Sequence, residues 1–181
     1  MRGSSEAAQA LFDQHGEAIY RFAAVLVKQH QDAEDVVQET FLKLLRHLET
    51  GGDTTNVRGW LFTVAANAAR DRQRWRMRWT AWLPAHERSI PPAPLPDEDG
   101  RLALARASLA TLPRRDRLLL ALRAQGLSYR DVAAAAGVKP ASVGRLLARA
   151  LTRWSVANEQ MTASGGDRYG LLERHSDSGR R

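Results

Sequence analysis

Five of the seven prolines in this 181-residue chain fall within one short stretch, residues 84–100 (PAHERSIPPAPLPDEDG). Proline lacks a backbone hydrogen-bond donor and disfavours helix in the residue before it. We therefore predict an extended, flexible linker over residues 80–100, with a domain boundary there. The chain is thereby divided into two short halves, each of which must bury a small core of its own.

The first half, residues 5–79, has helical spacing throughout. Apolar residues recur at helical intervals over residues 7–28, and a second apolar stripe covers residues 37–48. Asp32 is expected to cap the second helix, and Asn56 to cap a third helix that follows a glycine-containing loop. This half is therefore predicted to be a small helical bundle.

The second half, residues 101–156, is divided into short helices by turn residues. Gly126 is placed to end one helix in the left-handed conformation, and Ser128 with Asp131 forms a variant of the capping box that begins the next helix. A small residue, a turn glycine and an apolar anchor stand at helix-turn-helix spacing: Ala133, Gly137 and Val143. The last helix presents a polar and basic face, as in a helix that enters the DNA major groove. A plain helical hairpin with a basic surface is the alternative.

Residues 157–181 lack sustained periodicity, and we predict a disordered tail there. Taken together, these patterns predict an all-α chain: two small helical domains, one a bundle and the other a helix-turn-helix, joined by a flexible linker.

Charge alternates along the chain in blocks. Lys and Arg number 27 against 20 Asp and Glu, giving a net charge of +7, and only three of the 27 cations are lysines. Residues 58–79 and 101–154 carry net charges of +5 and +9, whereas 31–50 and 80–100 each carry −3. Arginine suits phosphate and base recognition because its guanidinium binds oxygens in pairs. A GC-rich genome would also raise the arginine content, but it does not account for the alternation.

The first basic block combines arginines with aromatic residues. Six arginines lie within residues 58–79, and Trp75 and Trp79 are interleaved with them. This mixture is typical of proteins that bind single-stranded nucleic acid, in which cations follow the phosphates and rings stack on unpaired bases. The alternative is a helix C-terminus enriched in cations, with its tryptophans packed on neighbouring helices. Six arginines exceed what a helix dipole requires, so we favour nucleic acid.

Composition excludes or disfavours several classes of protein. The chain has no cysteine, which excludes disulfides, cysteine zinc sites and thiolate nucleophiles. The five histidines are scattered, a lone helix histidine such as His47 is expected to be a surface or packing residue, and no HExxH or GxSxG pattern occurs. We therefore expect neither an enzyme nor a metal or cofactor site. Because no apolar run approaches the roughly 18 to 20 residues of a membrane span, we expect a cytoplasmic protein without membrane insertion.

Three segments, in this order, resemble the bacterial RNA polymerase sigma factors of the extracytoplasmic-function (ECF) type. They are residues 32–48 (DAEDVVQETFLKLLRHL), 58–78 (RGWLFTVAANAARDRQRWRMR) and 112–150 (LPRRDRLLLALRAQGLSYRDVAAAAGVKPASVGRLLARA). In that family, the first kind of segment is the region 2 helix that docks on polymerase, and the second melts the −10 promoter element. The third is region 4, whose helix-turn-helix reads the −35 element. The resemblance covers nearly all of residues 5–154.

The resemblance implies a specificity subunit that directs core RNA polymerase to promoters and helps to open them, with no catalytic activity and no cofactor. The implied partners are core polymerase, through its β′ clamp helices and β flap, promoter DNA and an anti-sigma factor. A free-standing helix-turn-helix transcriptional regulator is the alternative function. It would leave the acidic second helix and the arginine–tryptophan segment without a role.

Periodicity alone makes the acidic face of the second helix a solvated surface, but the resemblance assigns it to polymerase: Asp32, Glu34, Asp35, Gln38 and Glu39. The expected contacts with the −10 element are Asn56, Arg58, Trp60, Asn67, Arg70, Arg72, Arg74, Trp75 and Arg76. The expected contacts with the −35 element are Ser128, Tyr129, Arg130, Lys139, Ser142, Arg145 and Arg149. The chain departs from the family at Gly144 and Leu146, where a Lys and an Arg are usual, so the −35 sequence that it reads stays open.

Overall fold

The computed structural model describes residues 2–27, 29–80 and 100–173, and every regular element in these ranges is an α-helix. This part of the chain contains α1 (Arg2–Leu26), α2 (His30–Glu49), α3 (Val57–Thr80), α4 (Gly100–Thr111), α5 (Arg114–Ala124), α6 (Tyr129–Ala136) and α7 (Pro140–Glu173). The all-α prediction is confirmed. The predicted linker lies outside the described residues, apart from Thr80, which ends α3, and Gly100, which begins α4. None of the described helices is long and apolar enough to cross a membrane.

The first domain, helices α1 to α3, is held together by a core of buried aromatic and aliphatic side chains. Phe22 of α1 meets Phe62 of α3 edge to face, with ring centroids 5.2 Å apart. Ile19, Leu44 and Leu61 are fully buried around them. This arrangement follows from the apolar stripes of the sequence, because each helix buries its stripe chiefly against the other two.

The first turns of α2 and α3 differ in how they are capped. Helix α3 begins as predicted, with the Gly59 N–H donating to Asn56 Oδ1 at 3.1 Å. The predicted cap at Asp32 is wrong, because α2 begins at His30 and Asp32 lies within its first turn. The Asp32 carboxylate instead accepts from the Arg76 guanidinium at 2.6 Å. That bond joins two charged groups and is stronger than a bond from a neutral backbone N–H.

The second domain, helices α4 to α7, contains the helix-turn-helix that the sequence predicts. Gly126 and Gly137 have φ angles of 72° and 68°, so both adopt the left-handed turn conformation. At the start of α6 the Asp131 N–H donates to Ser128 Oγ at 3.2 Å, and the Ser128 hydroxyl donates to the Asp131 carboxylate at 2.6 Å. Val143 of α7 is fully buried, as expected of the apolar anchor of this motif.

Helix α7 is longer than the sequence suggests. The tail predicted to be disordered, residues 157–181, is helical as far as Glu173, and its last eight residues lie outside the described part of the chain. Extension of an existing helix adds one backbone hydrogen bond for each residue fixed, and no proline follows Pro140 to stop it. The side chain of Asn158 also contacts α4, because its Oδ1 accepts from Ser108 Oγ at 3.2 Å.

Two arginines of α3 connect the first domain to the second. The Arg58 guanidinium donates to the backbone carbonyl of Gln125 at 2.6 Å. The Arg70 guanidinium donates to the carbonyl of Ala135 at 3.1 Å. Both bonds are charge-assisted, yet a carbonyl leaves the cation without a counter-ion.

A third polar contact between the domains involves the cap of α3. Asn56 Oδ1 accepts a hydrogen bond from the Gly59 N–H at the start of α3. Asn56 Nδ2 donates a second hydrogen bond to Asp131 Oδ1 of the second domain, at 2.7 Å. Gly59 leaves the necessary space, because a Cβ there would lie 2.8 Å from Asp131 Oδ1. The polar bonds between the domains thus lie around the first turn of α3, with Arg70 further along the helix, and they accompany the packing of α1 and α3 against helices of the second domain.

Gly137→Ala should destabilise the second domain, because an alanine in the left-handed conformation costs about 1 to 2 kcal/mol. Gly144→Ala is the matched control. A Cβ at Gly144 would lie 3.6 Å from the Tyr129 ring, an ordinary contact within α7, so this alanine should stabilise the fold by up to about 1 kcal/mol. Urea unfolding measures both changes in the free energy of unfolding. Equal shifts for the two variants would contradict the turn assigned to Gly137.

Replacing Arg58 and Arg70 together by alanine should loosen the contact between the domains, since each charge-assisted bond contributes about 1 kcal/mol even when partly exposed. The expected result is a larger radius of gyration in small-angle X-ray scattering. The control combines Arg74→Ala, which removes a side chain paired within its own helix, with Arg145→Ala on the exposed face of α7. An unchanged radius in the Arg58 and Arg70 variant would show that these bonds do not hold the domains together.

Candidate nucleic-acid interface and docking groove

The arginine-rich half of α3 lies against the acidic half of α2, and two ion pairs join them. Arg76 Nη1 is 2.6 Å from Asp32 Oδ2, and Arg72 is paired with Asp35. The side chains of Asp32 and Asp35 are only 17% and 25% exposed. The structure thus brings together residues that the sequence assigned separately to polymerase and to DNA. These four charges are part of the packing of the first domain.

The outer side of the same half of α3 keeps a cationic and aromatic surface. Arg74 is exposed, and its contact with Asp71 is long at 3.8 Å, a pair of the kind that contributes little to stability. The side chain of Trp75 is 54% exposed, which is more than a tryptophan packed into a core would show. A ring with this exposure, beside an exposed guanidinium, is suited to stacking on an unpaired base.

The loop between α2 and α3, residues 50–56, is built by local hydrogen bonds. Asp53 accepts from the Thr55 N–H at 2.8 Å and from the Thr55 hydroxyl at 2.9 Å. These bonds hold the pKa of the Asp53 carboxyl below its usual value. His47 Nε2 lies 2.9 Å from the Asp53 carbonyl oxygen, and the His47 ring stacks on Trp60 with centroids 4.6 Å apart. Trp60 is therefore half-buried against His47 instead of being fully open to DNA.

Several residues assigned to the −10 element are engaged inside the protein. Arg70 Nη1 donates to Asn67 Oδ1 at 2.7 Å, while Arg70 Nη2 bonds to the second domain. Asn56 and Arg58 also bond to the second domain. The charge of Arg58 also acts on His15 of α1. The pKa of the His15 imidazole is lowered first by burial and second by the Arg58 cation. The −10 set is thus divided between an exposed surface on α3 and a group that contacts the second domain.

An open groove of about 690 Å³ runs between α1 and α2. Phe12 and Leu42, which are 44% and 52% exposed, contribute apolar surface to it. Glu34 and Gln38, from the predicted polymerase contact, line the groove as well. Burial raises the pKa of Tyr20, another lining residue, and the charge of Glu34 adds to this shift. Large exposed apolar side chains beside acidic groups are typical of a surface that binds another protein.

Sequence reasoning missed the apolar part of this groove. Leu42 lies eight residues after Glu34 and four after Gln38, so it shares their helix face. This spacing could have predicted the groove. An apolar residue that shares a solvent-facing helix face with polar residues does not pack in the protein's own core, so it is available to bind a partner. Glu39, the remaining predicted polymerase contact, is partnered by Lys43 at 2.6 Å on the exposed surface of α2.

The residues assigned to the −35 element lie at the start of α6 and around the first turns of α7: Ser128, Tyr129, Arg130, Lys139, Ser142, Arg145 and Arg149. All are exposed except Ser142, which is partly buried. Arg153, further along α7, is paired with the buried Asp116 of α5 and so belongs to the packing of the domain. Within the described ranges, no three His, Asp or Glu side chains are grouped as a metal site requires.

Comparison with known families finds a match for each domain. The family described as Sigma-70 region 2 matches residues 11–79, and the family described as Sigma-70, region 4 matches residues 102–153. Together these matches cover more than half of the chain. The matches come in the order region 2, then region 4.

Curated relatives belong to the same family. The RNA polymerase sigma factor CarQ of Myxococcus xanthus is 30% identical over 142 residues, which are 76% of this chain and 81% of that protein. The ECF RNA polymerase sigma factor SigE of Mycolicibacterium smegmatis is 35% identical over 140 residues. That match covers 74% of this chain and 54% of SigE, so the chain spans about half the length of this relative.

Solved structures share the fold. The sigma factor RpoE, in complex with the anti-sigma factor NepR from Bartonella quintana, matches with a TM-score of 0.70 at 24% identity, over 83% of this chain and 96% of that one. CnrH, in complex with the cytosolic domain of CnrY, matches with a TM-score of 0.63 at 25% identity, over 86% and 90% of the two chains. With both sigma domains in order and ECF sigma factors among its relatives, this chain belongs to the RNA polymerase sigma factors of the ECF type.

Proposed function

We propose that this sigma factor docks on core RNA polymerase through the groove between α1 and α2, and that it binds promoter DNA through α3 and α7. One observation carries the proposal: the groove and the exposed arginine–tryptophan surface occupy different parts of the same domain. Polymerase and DNA can therefore be held at the same time. In this proposal the chain makes and breaks no bond, the polymerase performs nucleotidyl transfer, and the factor acts in the cytoplasm with its partners.

The groove narrows the expected polymerase contact to one face of α2. Glu34, Gln38 and Leu42 follow one another at four-residue spacing and share the groove. Asp32 and Asp35 are turned instead to the arginines of α3. A helical partner fits an apolar groove of this kind by laying its own apolar face along it. The β′ clamp helices of polymerase are the partner that the sigma family implies, and the second domain is expected to meet the β flap.

The exposed side of α3 is proposed to hold the separated −10 strand. Extrusion of a base from the duplex costs a few kcal/mol, and stacking on an aromatic side chain returns about 1–3 kcal/mol per base. Trp75 supplies an exposed ring, and Arg74 an exposed cation beside it. The resemblance to sigma factors implies that residues 50–57 approach one extruded base, and the loop of residues 50–56 is proposed to meet it. Stabilising unpaired bases in this way helps promoter opening without any chemical step.

The exposed face of α7 is proposed to read the −35 element. Arg145 and Arg149 are one turn apart and both exposed, so they can reach base edges or phosphates in the major groove. Two weak DNA contacts joined through one chain act at a high effective concentration, which gives an avidity that neither domain has alone.

An anti-sigma factor is the further proposed partner. RpoE, one of the structures with the same fold, is bound to such a protein. The apolar groove of this chain offers exposed surface that an inhibitor could cover, and covering it would block the proposed polymerase contact. A free-standing helix-turn-helix regulator is not favoured, because the region 2 match and the groove would then have no function.

The direct test is transcription in vitro with core polymerase from the same host and a genomic library as template. Addition of this chain should produce discrete start sites that core polymerase alone does not use. Mapping the 5′ ends of the transcripts measures the result. Unchanged initiation on addition of the chain would contradict the proposed function, and DNA binding by the chain alone as a dimer would favour the regulator.

Leu42→Glu should weaken binding to core polymerase by about tenfold or more, since it places a charge in the apolar part of the proposed contact. Leu151→Glu is the matched control, because Leu151 on α7 is the same residue type and is 51% exposed, against 52% for Leu42. Neither exposed change should alter stability by more than about 0.5 kcal/mol. Fluorescence anisotropy with labelled chain measures the affinities. Equal binding by both variants would remove the groove from the polymerase contact.

A further inference from the structure

His47, on the last turns of α2, contacts three separate parts of the first domain. Its ring stacks on Trp60 of α3, with centroids 4.6 Å apart and planes 23° from parallel. Its Nε2 lies 2.9 Å from the Asp53 carbonyl oxygen in the loop between the helices. A carbonyl oxygen can only accept, so Nε2 must carry the hydrogen in this bond. One side chain therefore ties the end of α2, the start of α3 and the loop to one another.

The loop is shaped to receive the His47 ring. A Cβ placed on Gly52 would overlap the His47 ring atoms, closer than real Cβ contacts come. The Gly52 N–H also donates to the His47 carbonyl at 2.8 Å. The ring cannot simply swing aside for a larger residue, because Trp60 lies against it and the Asp53 carbonyl holds its Nε2. Gly52 is thus required by contact with His47, while its neighbour Gly51 is required by its positive φ of 72°.

Asn56, the last residue of the loop, bonds to Gly59, Trp60 and Asp131. The other bonds of the loop lie within residues 46–57, and they leave its tip exposed. The Thr50 hydroxyl donates to the Arg46 carbonyl at 3.0 Å, which closes α2. Thr54 and Thr55 are exposed, and Thr55 is held by Asp53. His47 contacts the middle of the loop at Asp53 and α3 at Trp60, whereas Asp131 contacts only the end of the loop, through Asn56. An isolated surface histidine would have neither a stacked tryptophan nor a fitted glycine.

We propose that His47 is a positioning residue for base selection: with Trp60 and Gly52, it fixes the loop of residues 50–56 against α3. The loop then presents its exposed threonines to the base extruded from the −10 element in one conformation. Discrimination between bases requires such fixed geometry, since a mobile loop can adapt its hydrogen bonds to the wrong base. The inference rests on the proposed function, in which this loop meets an extruded base.

The test is transcription by core polymerase from a promoter that the wild-type chain uses, with the −10 element randomised. His47→Ala should reduce the preference for the favoured base at the position read by the loop by about tenfold, and leave preferences at other positions unchanged. In an otherwise wild-type chain, Gly52→Ala should also reduce this base preference, because the added Cβ would overlap the His47 ring. In the His47→Ala background, Gly52→Ala should cause no additional reduction, because the ring is absent. His47→Gln, whose amide can donate to the Asp53 carbonyl, should restore part of the preference.

His30→Ala is the matched control, because His30 is also on α2 and also hydrogen bonds through its ring, to Tyr20 at 2.8 Å. It should leave base preference unchanged. Equal effects of Gly52→Ala in both backgrounds, or an unchanged preference in His47→Ala, would overturn the inference while the proposed function stands. An equal loss at all promoter positions would mean that His47 only supports the fold, and would also overturn it. If the wild-type chain selects no start sites, the proposed function itself fails.

Discussion

The two ion pairs between α2 and α3 are the interaction on which the position of the distal half of α3, and the surface that it exposes, depends. The distal half of α3 carries closely spaced arginines, so it has little apolar surface to pack and its like charges repel one another. Asp32 and Asp35 supply the contact instead, each bound to one arginine in a partly buried position. Removal of one partner would leave a poorly solvated charge behind. With the pairs in place, α3 extends beyond the apolar core as an ordered helix, and Arg74 and Trp75 remain on its exposed side.

The contact between the two domains is of a different kind. Arg58 and Arg70 donate to backbone carbonyls, which carry no full negative charge. A phosphate oxygen is a stronger acceptor for a guanidinium than a carbonyl is, because it adds an opposite charge. In the proposed function, the same arginines help to hold the domains together in the free chain and exchange this contact for DNA, whereas Arg72 and Arg76 already have carboxylate partners and gain less from such an exchange.

Much of this fold could be predicted from the sequence, because local rules determine it. The left-handed turns at Gly126 and Gly137 and the cap at Asn56 depend on a few adjacent residues and were confirmed. The pairing of Asp32 with Arg76 could not be predicted, since the two are 44 residues apart and only packing brings them together. The same holds for the role of His47, which comes from its contact with Trp60. In both cases the residue types were visible in the sequence, and their partners were not.

The acidic residues of α2 have two different surroundings, because they lie on two faces of the helix. Asp32 and Asp35 neutralise arginines of α3, while Glu34 lines the groove to which Leu42 also contributes. In the proposed function, the acidic side of the groove disfavours nucleic acid and the exposed arginines of α3 favour it, so the field of the domain directs DNA to one surface. The apolar groove is left for a protein. In the proposed function, a domain of three helices thus holds a polymerase and a promoter together, because the alternation of charge along the chain becomes a separation of charge in space.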